Sequence, residues 1–338
     1  MNIILSGQYP RSEKLIEATR DFERGRIQEE ELGRARRADA KALRGMQTGA
    51  GFPYLSTGLF CWQDLMRPFA EILPGSLVEG LKRFYETNTF WKVLECRSSF
   101  LPLIDEARLD EWVKKYFLCG GMYAADEPLV VTLPFIYLFK EYSTNFEDRA
   151  IAGILAAVAQ KLLSLGNKLL VFAEPTFGWR ELTAEEKRIG RELIEKVMSN
   201  AYARGPELPG QAGQPGRAGR LGGFGQQVVI NTYFFDIEKD KDFLYSLAAD
   251  GIGIDFYANS IDWTADDFPS DKMLVAGVLA TDSTHVEKKE TLAGFFERLG
   301  RHVDRSRIWA SSAGPMELLP RAVADEKLEN LKEAAGRW

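Results

Sequence analysis

A single (β/α)8 barrel is the fold class this sequence predicts, and three observations predict it. Short β-rich apolar runs alternate with longer helical patterns, the signal of a parallel sheet wrapped in helices. The runs number about eight, as many as such a barrel needs. The chain has 338 residues, of which 45% are apolar and 27% charged, enough for one large packed core and too apolar for a disordered chain.

In chain order, the strand-like runs are Ile3 to Ser6, Pro53 to Thr57, Trp91 to Cys96, Leu129 to Leu133, Leu169 to Ala173, Val228 to Tyr233, Ile252 to Phe256 and Leu274 to Ala280. Ile308 to Ser311 makes a ninth, so one early run is expected to lie outside the barrel. Ser12 to Glu23 reads as a helix capped by its serine, and Ile27 to Gln47 as a longer one rich in Glu, Arg and Ala. Together they form an amino-terminal helical hairpin pinched at Gly25. Helical patterns follow over Glu147 to Leu165, Ala184 to Tyr202, Lys239 to Ala248, Lys288 to Leu299 and Ala322 to Ala335, with Gly166 placed as a helix stop. Residues 205–225 are rich in Gly and Pro and nearly free of large apolar side chains, which predicts a flexible loop inserted into a single domain spanning 1–338.

Charge and composition exclude several function classes. A net charge of −6 and a pI near 5.3 give no general attraction to nucleic acid or anionic membrane. No apolar run approaches the roughly 20 residues that span a bilayer, and the opening MNIILSGQYPR lacks a secretory pattern, so a cytoplasmic protein is expected. Cys61, Cys96 and Cys119 are too few and too scattered for a disulfide framework or a metal knuckle, and are expected to be reduced and mostly buried. Two histidines, His285 and His302, cannot supply chemistry that needs several imidazoles. Dinucleotide-binding, P-loop, nucleophile-elbow and zincin motifs are missing.

Several segments resemble the cobalamin-independent methionine synthase family. GQYPRSEKLIEATRDFERGRIQEEEL is similar to the start of one of its half-domains, TGLFCWQDLMRPF to its Gly-acid-Phe segment, and LVFAEPTFGW to its D-E-P strand. VVINTYFFDIEKDKDFLYSLAADGIGIDF, VAGVLATDSTHVEKKE and IWASSAGPMELLPRAVADEKLENLKEA resemble its later strands and closing helix. The likeness covers nearly the whole chain, and TYF-D-I, WQDLMRPF and the SAGPMELLP ending point to the zinc-free, amino-terminal type of half-domain in its stand-alone form. The resemblance implies a barrel of methionine biosynthesis, in which a methyl group passes from methyltetrahydrofolate or a methylcorrinoid to homocysteine sulfur.

In that family zinc makes the reactive thiolate, using a His-x-Cys, a Glu and a late Cys. Laid on this sequence, these positions fall within residues 231–234, on Asp255 and on Ala313, and only Asp255 could bind metal. Asp255 reads first as a cap for the turn after its strand. Two acids that hold the homocysteine amino group in the zinc-bearing half are replaced by Leu59 and Ala173, while Glu174 persists. No metal or cofactor is therefore expected on this chain, and the resemblance implies a separate zinc-bearing carboxy-terminal-type barrel as partner.

Polar residues still gather where strands end, which is where barrels build their sites. Ser6, Gln8 and Arg11 follow the first strand, and Trp62, Gln63, Asp64 and Arg67 the second. Glu174, Asn231, Tyr233, Asp255, Asp282, Ser311 and Ser312 sit at later strand ends. Arg11 and Arg67 can hold a carboxylate or phosphate of a small-molecule ligand, or pair with Asp64 or Glu13. Trp62 and Tyr233 can stack on a pterin or close the core. Two functions stay open: the non-zinc half of a split methionine synthase, and a self-sufficient metal-free barrel enzyme resembling uroporphyrinogen decarboxylase, working through Arg11, Arg67 and Asp255 on a carboxylate-bearing substrate.

Overall fold

The computed structural model describes residues 1–97, 104–166, 168–203 and 226–338. Residues 205–225, expected to form a Gly/Pro-rich loop, lie outside the described residues.

Among the described residues, eight parallel strands form one curled sheet. In chain order they are β1 (Asn2–Ile3), β2 (Leu55–Ser56), β5 (Leu129–Pro134), β7 (Lys168–Ala173), β8 (Gln227–Asn231), β9 (Gly251–Asp255), β10 (Met273–Leu279) and β11 (Ile308–Ser312), and in space they run β1-β11-β10-β9-β8-β7-β5-β2. The long strands are buried along their entire length. That is why they read in the sequence as continuous apolar runs and not as alternating ones. β1 and β2, two residues each, end the hydrogen-bonded order, and the curl brings them face to face: Tyr9 N donates to Gly58 O at 3.1 Å. An apolar cluster of Ile4, Tyr54, Val130, Leu169, Val171, Val229, Met273, Val275 and Trp309 draws on seven of the eight strand regions and fills the centre of the sheet's curl.

Helices wrap the outside. Ser12 accepts a hydrogen bond from Leu15 N and so caps α1 (Glu13–Glu23), as expected, and Gly25 makes the turn to α2 (Glu29–Gly49) at φ +67°. Asp39 of α2 takes Ser12 N at 2.8 Å and locks the hairpin. α5 (Asp148–Leu163), α6 (Ala184–Ala203), α7 (Lys241–Ser246), α9 (Lys289–Leu299) and α10 (Arg321–Arg337) lie where helical patterns were read, and Gly166 ends the α5 turn at φ +107°. At the amino ends of β7 and β10, the buried Lys168 and Lys272 donate to backbone carbonyls, Lys168 to Ala125 O and Glu127 O at 2.7 Å and Lys272 to Leu247 O at 2.7 Å.

The surplus strand is Trp91 to Cys96. It forms β4 (Phe90–Cys96) in a separate three-stranded sheet, antiparallel to β3 (Ser76–Arg83) and parallel to β6 (Ser143–Thr144). β3, β6, α3 (Glu106–Tyr116), α4 (Ile136–Glu141) and α8 (Ile261–Asp266) were not anticipated. β3 is mostly exposed and interrupted by a register shift at Gly80, so it carries neither an alternating nor a continuous apolar pattern. The hairpin it makes with β4 lies over the barrel mouth and shapes the site.

Candidate functional site

The carboxyl ends of β8 to β11 and the tip of the β3–β4 hairpin enclose an outer pocket of about 500 Å³. Phe234, Phe235, Asp255, Tyr257, Ala280, Thr281, Asp282 and Ala313 line it from the barrel, and Glu86 to Thr89 from the hairpin. Asp255, the last residue of β9, does what a strand-end cap does. Its Oδ2 accepts from Phe234 N at 3.0 Å, and its Oδ1 from Tyr257 N at 2.8 Å and Ala258 N at 3.3 Å. Burial raises its carboxyl above the usual range, these amides pull it back, and nearby Asp282 pushes it up again. Phe234 is held at φ +77°, a backbone state rare for a bulky side chain. Tyr257 hydroxyl donates to Glu287 at 2.6 Å, and Glu287 pairs with the fully buried Lys327 of α10 at 3.0 Å. The pocket wall is thereby tied to the last helix.

Closer to the barrel axis lies an inner chamber of about 10 Å³, room for about one water. Ser6, Gln8, Asn231 and Tyr233 line it, as strand-end reasoning predicts, together with Trp91 and Glu317, which that reasoning missed. Asn231 Nδ2 donates to Ser6 Oγ at 3.3 Å across the barrel. Its side chain occupies the space beside Gly253, where an added Cβ would lie 1.9 Å from Asn231 Oδ1. Gly253 is thus required by close approach. Among the described residues Gln8 Oε1, Trp91 Nε1 and Glu317 Oε1 are buried with no hydrogen-bond partner, and all three belong to the chamber's lining. Such atoms are costly to leave unpaired. Glu317 as a residue keeps partial exposure, but its Oε1 is sealed. Burial pushes its carboxyl up to about 8, Arg11 lowers it, and Asp64 raises it.

The remaining predicted residues line neither cavity. Trp62 is fully buried against Phe69, Trp112, Tyr116 and Phe117, with its Nε1 on Tyr116 O at 3.1 Å, so it closes the core. Asp64 is a buried anchor that accepts from Met66 N, Arg67 N, Arg67 Nε and, across to β4, Lys92 N at 3.1 Å. Arg67 is consumed by Asp64 and Gln63, and Gln63 reaches Glu23 of α1 at 2.8 Å. Glu174, completely buried, takes Leu138 N and Thr176 N at 2.9 Å and caps α4; burial pushes its carboxyl up to about 7. Ser311 is buried with Oγ unpaired, and Ser312 Oγ donates to Gly314 O at 2.7 Å. Arg11 has no salt-bridge partner among the described residues and acts on the site through its charge near Glu317.

Zinc does not fit these residues. Phe234 and Ala313 offer no donor, both oxygens of Asp255 are held by amides, and among the described residues no three His, Cys, Asp or Glu side chains come together as a metal site. No helix of the described residues is long and apolar enough to cross a membrane.

No family model matches the chain. Among curated relatives, the 5-methyltetrahydropteroyltriglutamate–homocysteine methyltransferase of Streptococcus suis is 30% identical over 139 residues, 40% of this chain but only 15% of that protein's length. The methionine synthase of Sulfurisphaera tokodaii is 22% identical over 96% of this chain and 88% of its own. In fold, a protein described as a vitamin-B12 independent methionine synthase from Listeria monocytogenes superposes with a TM-score of 0.69 at 15% identity, over 100% of this chain and 98% of the other. A B12-independent methionine synthase from Shewanella sp. W3-18-1, in complex with selenomethionine, gives 0.65 at 16% identity over 92% and 89%. The chain is a barrel similar to methionine synthases. Within this methionine synthase-like barrel, Ala173, where the resemblance expects an Asp, lines the inner chamber, and Leu59, where it expects an acid, is buried at φ +50°. The unpaired polar atoms at the chamber come instead from Gln8, Trp91 and Glu317. Glu317 stands in the SAGPMELLP ending, where the order of residues gave no hint that its carboxylate turns inward.

Proposed function

We propose that this barrel is the non-zinc half of a two-chain methionine synthase and works beside a separate zinc-bearing barrel, in transfer of a methyl group from methyltetrahydrofolate to homocysteine. The observation that carries this reading is the donor set of the outer pocket: Ala313, Phe234 and an amide-saturated Asp255 stand where a thiol-activating metal site would be built. Metal-bound sulfur therefore has to come from the partner. The names of the relatives, with folate as methyl source and B12-independent structures, favour methyltetrahydrofolate over a methylcorrinoid.

The pocket's own ligand follows from its charge. Glu86, Asp255 and Asp282 line it, with no Lys, Arg or His among the described lining residues, so it favours an ammonium-bearing amino acid over the glutamate tail of a folate. The alternative, a metal-free enzyme acting through Arg11, Arg67 and Asp255, has less support, because Arg67 and Asp255 are already engaged.

The test is methionine formation by the purified chain, by a zinc-bearing barrel of the same organism, and by the two together. No turnover is expected from this chain alone, and a gain of at least tenfold from the mixture over the zinc barrel alone. Metal-free turnover by this chain by itself refutes the proposal. So does a zinc barrel that neither binds it nor responds to it.

A further inference from the structure

Away from the barrel mouth, two of the three cysteines meet. Cys61 sits on the loop after β2, partly exposed, and Cys119 is buried in the turn after α3, yet their Sγ atoms are 3.8 Å apart although 58 residues separate them in sequence. A disulfide needs about 2.05 Å, so the sulfurs must approach by about 1.8 Å. The Cys119 backbone is already in the left-handed region at φ +48°, with Gly120 and Gly121 directly after it, where backbone adjustment is easiest. The charged groups facing the pair are Arg36 and Arg37 of α2 and Lys115 of α3, opposed by Glu29. The hydrogen bond between the two thiols, then the charges of Arg36 and Lys115, hold the Cys61 thiol below its usual range against the effect of burial. Nucleophilic attack by sulfur requires the thiolate, so Cys61 is the sulfur that reacts first.

We propose that Cys61 and Cys119 are a redox modification site, a dithiol that a low-molecular-weight disulfide such as oxidised glutathione converts to an intramolecular bridge. The Cys61 thiolate attacks one sulfur of the reagent, forming a mixed disulfide and releasing one glutathione thiolate. Cys119 then loses its proton and attacks Cys61 Sγ, which releases the second glutathione. Two protein thiols are oxidised by two electrons, and one disulfide reagent is reduced to two thiols. The bridge acts next to the site: Cys61 precedes Trp62, whose carbonyl accepts Gln8 Nε2 at 3.3 Å, and Gln8 lines the inner chamber. This proposal does not depend on the methionine synthase reading.

The full chain is incubated with oxidised glutathione near neutral pH, quenched in acid, unfolded, alkylated and weighed intact, then mapped by proteolysis. Alkylatable thiols fall from the three of the sequence to one, and the bridged peptide joins Cys61 to Cys119 while Cys96 is alkylated. The Cys119→Ser chain stops with one glutathione on Cys61, and the Cys61→Ser chain gains none. Near-UV circular dichroism of the oxidised wild type changes in the tryptophan region as the Trp62 loop is drawn in. A wild type that keeps three alkylatable thiols, ends as a stable glutathione adduct, or bridges through Cys96 overturns the proposal.

Discussion

Replacing Glu317 by Gln should stabilise this protein near neutral pH and leave it almost unchanged in acid. The side chain puts an unpartnered carboxylate oxygen into the inner chamber, and burial moves its pKa from the usual 4.5 to about 8. Between those values the folded state holds a proton that the unfolded chain has released. Stability therefore falls as pH rises from 4.5 to 8, and this group adds no further slope above 8. Retaining that proton costs about 1.4 kcal/mol for every pH unit above the unfolded pKa, so at pH 7 the penalty is roughly 3 kcal/mol. Glutamine has nearly the same shape and no such penalty. Urea unfolding of wild type and Glu317→Gln at pH 4.5, 7 and 8.5 measures it. The difference should be near zero at the lowest pH, reach roughly 3 kcal/mol in favour of Gln at pH 7 and level off at roughly 5 kcal/mol by pH 8.5. Glu174, whose carboxyl burial moves to about 7, adds the same sign of slope to both proteins and cancels in the difference. A difference that does not vary with pH, or a Gln variant that is the less stable at pH 7, refutes the assignment of Glu317 as a buried, protonated acid.

Other perturbations follow from the same contacts. Gly253→Ala places a methyl where Asn231 Oδ1 lies, forces Asn231 away from Ser6, and should cost roughly 1–3 kcal/mol in urea unfolding; an unchanged midpoint would show that the inner chamber is not packed this way. Lys327→Met leaves Glu287 buried beneath Tyr257 without its cation, which should cost roughly 3–5 kcal/mol. Adding Glu287→Gln should recover a large part of that loss, and a double variant no better than the single one counts against the pair. Elemental analysis of the purified chain should find far less than one zinc per molecule, and a chelator should leave the thermal midpoint unmoved.

Much of the barrel was legible because its strands are buried on both faces. LVVTLP, KLLVFA, QVVIN and MLVAGVL are runs that no exposed loop carries, and the helices between them begin and end on recognisable residues such as Ser12 and Gly166. The accessory sheet was not legible. SLVEGLKR exposes Leu81 and pairs only on one edge, and its identity as a strand rests on the partner it finds in β4. The same division holds at the site. Counting from strand ends located Ser6, Gln8, Asn231, Tyr233, Asp255 and Asp282 at the two cavities. It also named Trp62, Gln63, Asp64 and Arg67, which share a strand-end loop but are turned elsewhere because Asp64 gathers four donors around itself. Trp91 and Glu317 escaped because one comes from the sheet outside the barrel and the other from the turn beyond β11. Tertiary packing aims both, and spacing does not report it.

That packing makes the hairpin the element on which both cavities depend. Its tip, Glu86 to Thr89, walls the outer pocket, while Trp91, five residues past Glu86, reaches the inner chamber. Phe84 stacks on Trp91 at 3.8 Å between ring centres and meets Phe234 edge-on at 5.8 Å, so the hairpin grips the turn after β8. Lys92 N on Asp64 fixes the other side to the loop after β2. A ligand in the outer pocket therefore contacts the same hairpin that carries the unpaired Trp91 Nε1 into the inner chamber. The two compartments are chemically unlike, one lined by carboxylates and the other holding a protonated acid, but Phe84 joins their walls, stacking on Trp91 of the inner chamber and meeting Phe234 of the outer pocket.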